Sequence, residues 1–291
     1  MAREKGYPPL PEPLFVPIYD NHTHLDPGPA HESQFDVMPD YREQLDNAAQ
    51  VGVVGVVQVG GDIESSIWSA EHAAREPRML AAVAIHPNEA PRYEAAGRLD
   101  EALAVIAGLA TQPRVRAIGE TGLDFFRTDA PGHAAQFRSF EAHIEIAKAN
   151  DLALQIHDRD AHDEVIETLL RVGAPPRTVF HCFSGDAAMA RVCAENGWYL
   201  SFSGTVTFKN SDPLRGALSV TPPELMLIET DAPFLTPTPH RGRPNAPFLM
   251  PLTLRFMAEH LGTSAAELAA QLTTNTELVY GSWDAWPVTA E

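Results

Sequence analysis

Short apolar runs alternate with longer stretches of helical periodicity along most of the chain. Eight runs stand out: "IYDNHTHLD", "VVGVVQVGG", "MLAAVAIHP", "VRAIGETGLD", "LALQIHDRD", "TVFHCFSG", "YLSFSGTVT" and "LMLIETDAPF". Most open on Val, Ile, Leu or Ala and close on polar or turn residues. Between them, "FRSFEAHIEIAKAN" sets Phe137, Phe140, Ile144 and Ala147 on one helical face. "DEVIETLLRVG" gathers Val165, Ile166, Leu169 and Leu170 before Gly173 stops it. Near-continuous apolar strands covered by helices predict a parallel sheet. Eight such units predict an α/β chain closed as a (β/α)8 TIM barrel. A doubly wound open sheet is the alternative, but Gly60-Gly61 forms no GxGxxG fingerprint. The expected organisation is a proline-rich arm over residues 1–17, one barrel over 18–282 and a tail over 283–291.

The polar residues that close the strands change the picture. In a strand, side chains i and i+2 face the same way, so His22 and His24 of "IYDNHTHLD" point at one spot. Two converging imidazoles suit zinc or a transition metal. The other strand ends supply Glu120, His157, His181 and Asp231. Each has an ordinary reading, as a satisfied core histidine or a capping carboxylate. Six such groups at the C-terminal ends of barrel strands are costly to bury with nothing to bind. A metal centre accounts for all of them together.

Composition narrows the chemistry. The 291 residues carry 21 Lys+Arg against 39 Asp+Glu, a formal charge of -18. Such a surface repels polyanions, so a nucleic-acid substrate has to be gripped locally and not coated. Cys182 and Cys193 lack zinc-knuckle spacing and read as reduced thiols. "MAREKGYPPLPEPLFVP" has no signal-peptide core, and no run is apolar enough to span a bilayer. These features predict a cytoplasmic, soluble protein, and the net charge is compatible with a monomer.

With "GETGLDF", "HDRD", "FHCFSG", "SFSGTVTFKN", "IETDAPFL" and "PHRGRPN" added to the HxH, the chain resembles the TatD family of metal-dependent deoxyribonucleases, in the amidohydrolase superfamily. The resemblance runs from about Tyr19 to about Tyr280. It implies two divalent ions, Mg²⁺, Mn²⁺ or Zn²⁺. His22, His24 and Asp231 would hold one, His157 and His181 the other, and Glu120 would bridge them. Six ligands exceed what one tetrahedral zinc with an open position uses. The implied reaction is 3′-5′ hydrolysis of single-stranded DNA by a metal-activated water, with Asp231 as general base. His86 would touch the scissile phosphate or protonate the leaving group, so Glu120, Asp231 and His86 form the expected catalytic set. The same site could instead hydrolyse an ester or amide, such as an aminoacyl-tRNA or a lactone, or the metals could stabilise a scaffold. Deamination ranks lower, because "FHCFSG" carries no HxGE-type glutamate.

Further residues fall around these strand ends. Arg159 shares the face of His157 and would grip phosphate, or pair with Asp160 or Asp124. Arg241 and Lys209 are further phosphate candidates on the late loops. Glu229, two residues before Asp231, would orient a ligand histidine. Phe125 and Phe126 would stack on a base or pack beneath a helix.

Overall fold

The computed structural model describes residues 6–26 and 39–283. Residues 1–5 of the expected arm and 284–291 of the expected tail lie outside them. The strands are β1 (Ile18–Thr23), β2 (Val53–Val59), β3 (Met79–Val83), β4 (Val115–Asp124), β5 (Ala153–Arg159), β6 (Thr178–Phe180), β7 (Tyr199–Phe202) and β8 (Met226–Ile228). They neighbour one another in chain order, and β3–β4, β4–β5 and β7–β8 pair in parallel. Helices separate the strands, and the fold is a (β/α)8 barrel. All eight predicted strands are present, but the late ones are shorter than their apolar runs. Positive φ values at Cys182 (41°) and Asp231 (54°) break the extended run past β6 and β8, and among the described residues only a single bridge, at Ala232, follows β8.

Two compact units make up the chain: Met1–Val57 with Phe180–Thr276, and Gln58–Val179 with Glu277–Glu291. In the second unit β3 is wholly buried. Helix Ala130–Ala149 packs on β4 with Phe140, Ile144 and Ala147 inward, as the periodicity predicts. Phe137 is only half-buried and meets the edge of Phe125. Helix His162–Val172 departs from expectation. Val165 and Leu169 are buried, yet Leu170 is 59% exposed. Leu170 stands one residue past Leu169, and that step of ~100° carries it off the apolar stripe, where Thr168 is buried instead.

In the first unit, β1 is joined to the segment after β8 by a parallel bridge between Thr23 and Ala232. Asn21 Nδ2 donates to the Ile228 carbonyl at 2.7 Å, and Asn275 Nδ2 to the Pro223 and Met226 carbonyls. The Asn21 amide ties β1 to the C-terminal end of β8, and the Asn275 amide secures the start of β8. Cys182 is half-buried, with its sulfur 3.4 Å from the Ser203 hydroxyl, and Cys193 is buried; the two form no disulfide. Among the described residues, no helix is long and apolar enough to cross a membrane.

Candidate metal centre

The first unit brings His22, His24 and Asp231 within ligand distance of one another. Both histidines lie at the end of β1, and alternation turns them to one side as the HxH spacing requires. Their Nε2 atoms are 3.2 Å apart. Asp231 Oδ1 lies 3.5 Å from His24 Nε2 and 3.9 Å from His22 Nε2. Bonds of ~2.0–2.1 Å in a tetrahedron give ligand edges of roughly 3.4 Å, so this spacing fits a shared cation. The αL backbone at Asp231 aims the carboxylate there, and its amide donates to the His22 carbonyl at 2.9 Å.

His181 stacks on His22, with centroids 3.8 Å apart. Its Nδ1 faces Glu229 Oε1 at 3.2 Å, and the Cys182 amide donates to the same oxygen at 2.8 Å. Glu229 therefore holds the His181 ring and leaves Nε2 as the nitrogen a metal would take. Its other oxygen, Oε2, is buried with no hydrogen-bond partner in the structure. A buried carboxylate oxygen in that state beside two imidazoles is the environment a cation relieves. Behind β1, Asp20 accepts from the Thr230 amide and hydroxyl. Burial raises its carboxyl to about 8 against those hydrogen bonds.

The second unit holds its own group: His86, Glu120 and His157. The spacing again comes from strand register. Gly122 of β4 sits opposite His157 of β5. A Cβ on Gly122 would lie 2.1 Å from the His157 carbonyl oxygen, and its φ of +139° also excludes other residues. "GETG" is thus a glycine frame that lets β5 close on the strand carrying Glu120. His157 Nε2 faces Asp124 Oδ2 at 3.1 Å, and His157 Nδ1 faces Glu120 Oε2 at 3.1 Å. With the ring proton given to Asp124, Nδ1 presents a lone pair to a carboxylate oxygen. Two acceptors at that distance require a proton or a cation between them. The donor set therefore suits a divalent ion on Glu120 and His157.

His86 plays a different part. Its Nδ1 accepts the Asn88 amide at 3.0 Å, so in the neutral ring Nε2 carries the proton. In that tautomer the His86 Nε2–H points toward the Glu120 carboxylate, with Oε2 at 3.6 Å.

Asp124 was not singled out as a site residue in its own right. It lies four residues after Glu120 on one strand, so alternation alone could have nominated it. Burial pushes its carboxyl up, but hydrogen bonds from His157, Asn88 and the Arg127 amide outweigh this and hold it below the usual carboxylate range. Of the two alternatives for Arg159, the ion pair with Asp124 or Asp160 is not formed: its guanidinium lies 3.9 Å over the ring of Phe126. Phe126 is 61% exposed, whereas Phe125 stacks on His133 beneath the helix. In the first unit, Arg241 lies 3.7 Å over Phe208, and Lys209 beside that ring is exposed.

His143 is a support that the periodicity also passed over. It is fully buried on helix Ala130–Ala149. Its Nε2 accepts the Ile85 amide at 3.1 Å, and its Nδ1 lies 2.7 Å from the Ser139 carbonyl and 3.0 Å from the Thr121 hydroxyl. It thus ties down the residues next to His86 and Glu120. Burial lowers its pKa from 6.5 to about 4. The unfolded chain therefore takes up a proton below 6.5 that the folded chain refuses. This contribution to stability is complete above pH 6.5 and is lost as pH falls toward 4, by roughly 3 kcal/mol. Urea unfolding measured across that window should fall less steeply for His143→Gln than for wild type. Equal slopes would show that His143 is not held neutral.

The match to the TatD-related DNase family model covers residues 19–281. A Mycobacterium tuberculosis protein named uncharacterized metal-dependent hydrolase TatD is 42% identical over 91% of this chain and 98% of its own. An Escherichia fergusonii protein named 3′-5′ ssDNA/RNA exonuclease TatD is 36% identical over 80% of this chain and 90% of its own. The crystal structure of the TatD homologue YJJV from Escherichia coli superposes with a TM-score of 0.80 at 26% identity, covering 91% of this chain and 98% of that one. Since the strand-end histidines and carboxylates described above all fall inside the matched span, this chain belongs to the TatD family of metal-dependent hydrolases.

Proposed function

We propose that this protein removes nucleotides from the 3′ end of single-stranded DNA by hydrolysing phosphodiester bonds. The observation that carries the reading is the pairing of His157 with two carboxylates, Nδ1 3.1 Å from Glu120 Oε2 and Nε2 3.1 Å from Asp124 Oδ2. The relative named as a single-strand exonuclease supports the substrate class. So does the charge of -18, which favours a local grip on a strand end over coating a duplex.

His22, His24, His157, His181, Glu120 and Asp231 are the proposed ligands of two divalent ions, Mg²⁺, Mn²⁺ or Zn²⁺. When bound, such ions lower the pKa of water and stabilise charge on attacking and leaving oxygens. The remaining chemistry belongs to the chain. Asp231, its carboxylate aimed by a fixed αL backbone, accepts the proton of the attacking water. His86 holds its proton on Nε2 and delivers it to the leaving oxygen. Asn88 sets that tautomer by donating to Nδ1, and it also donates to Asp124, so one residue orients both histidines of the second unit. Arg159, Arg241 and Lys209 are the proposed phosphate contacts. Phe126, exposed beneath the Arg159 guanidinium, offers a face to a terminal base.

The test uses 5′-labelled single-stranded oligonucleotide and metal-stripped protein, with Mg²⁺, Mn²⁺ or Zn²⁺ added back separately. The expected product is a ladder of labelled fragments that shorten from the 3′ end. Immediate release of labelled mononucleotide would reverse the polarity. Intact DNA under every ion, with turnover of a carboxylic ester, would transfer the site to ester hydrolysis.

A further inference from the structure

The proline-rich arm lies ahead of the family match, yet it is fastened to the loop that follows β8. Arg243 Nε donates to the Gly6 carbonyl at 2.8 Å, and its Nη2 donates to the Tyr7 carbonyl at 2.5 Å. The Tyr7 ring leans on Phe248, with centroids 6.3 Å apart. Further along the arm, Arg255 Nη2 donates to the Glu12 and Pro13 carbonyls, and the Thr273 hydroxyl to the Pro17 carbonyl. The Leu14 amide donates to the Val51 carbonyl. Most of these links use arm carbonyls. A segment rich in proline has few amides to pair with its own oxygens, and its stiffness keeps the entropy cost of pinning it low.

The loop is held at other points as well. Asn245 Nδ2 donates to the Thr230 and Phe234 carbonyls, which closes the loop's base beside Asp231. The Thr238 amide donates to the Thr207 hydroxyl. The Thr236 hydroxyl donates to the Arg243 carbonyl at 2.5 Å. Arg241 lies between the Thr238 and Arg243 anchors, exposed, with its guanidinium on Phe208. Arg243 directs its own guanidinium into the arm, at the Gly6 and Tyr7 carbonyls.

We propose that residues 6–17 form a built-in strap, and that Arg243 is a positioning residue that holds the loop so that Arg241 meets the substrate phosphate. This rests on the reading of Arg241 as a phosphate contact. Full-length Arg243→Ala should raise KM for the oligonucleotide roughly tenfold, the scale of one hydrogen bond to a charged group, with kcat within about twofold. Arg243→Lys, which keeps one donor, should recover part of that loss. Arg241→Ala should raise KM similarly, and the double variant should be no worse than Arg241→Ala alone, because both act through one contact. Hydrogen exchange of amides in residues 236–245 should quicken in Arg243→Ala without any substrate present. Unchanged exchange in that loop overturns the strap, as does a double variant whose effects add. Should wild type fail to cleave DNA while loop exchange still responds to Arg243→Ala, the strap stands and the substrate assignment falls.

Discussion

Glu120→Gln should reduce turnover by on the order of 10³-fold or more while the protein stays folded. The carboxylate Oε2 is the atom shared by His157 Nδ1 at 3.1 Å and His86 Nε2 at 3.6 Å. Glutamine keeps the length and most of the volume. However, it replaces one oxygen with an amide that can only donate. If that amide faces His157, the cation loses an anionic ligand; if the carbonyl does, the charge is still gone. Either way the site loses the negative charge proposed to hold a divalent ion beside His157. The fold should survive because the local backbone is set by glycines. Gly119 lies so close to Gln155 that a Cβ there would meet the Gln155 Cβ at 2.4 Å, and Gly122 is equally constrained against β5. The measurement pairs kcat with a thermal melt of the same sample. More than about a tenth of wild-type turnover with an unchanged melt would remove Glu120 from the mechanism.

The strand pattern was legible because a barrel strand buried on both faces has to be a near-continuous apolar run. "VRAIGETGLD" became β4 from end to end. The residue types at the strand ends were legible for a related reason: alternation fixes which side chains share a face, as with His22 and His24. Partnership was the part the sequence withheld. Which ring nitrogen of His157 meets which carboxylate depends on β4–β5 register, and that register is set by a glycine whose role is steric. His86 was readable as a polar residue near the third strand end, but its proton placement depends on Asn88 two residues later and on a backbone turn between them. His143 was hidden because helical periodicity counts apolar residues, and a neutral histidine with every nitrogen satisfied behaves as one. Arg243 sat within a motif rich in cations and looked like its neighbour Arg241. Only the arm, more than two hundred residues earlier in the chain, distinguishes the two.

Metal content should separate the two clusters. Wild type equilibrated with excess Mn²⁺ or Zn²⁺ and then desalted should retain about two equivalents, and His24→Ala or His157→Ala about one each. The His22, His24 and Asp231 group lies within the first unit and the His86, Glu120 and His157 group within the second. His24 contributes Nε2 to a group whose atoms lie 3.2–3.9 Å apart, and no atom of that group belongs to the second unit. His157 turns Nδ1 toward Glu120 in the second unit, with Asp124 on its other ring nitrogen. Stability should follow occupancy. An ion present at a hundred times its Kd adds about 2.7 kcal/mol to a site that binds only in the folded state. For a chain of this length, stripping both ions should therefore lower Tm by roughly 5–15 °C, and refilling should restore it. A stripped protein that melts with the metal-loaded one, or single variants that each release both equivalents, would show that these histidines and carboxylates do not form two separable ion sites.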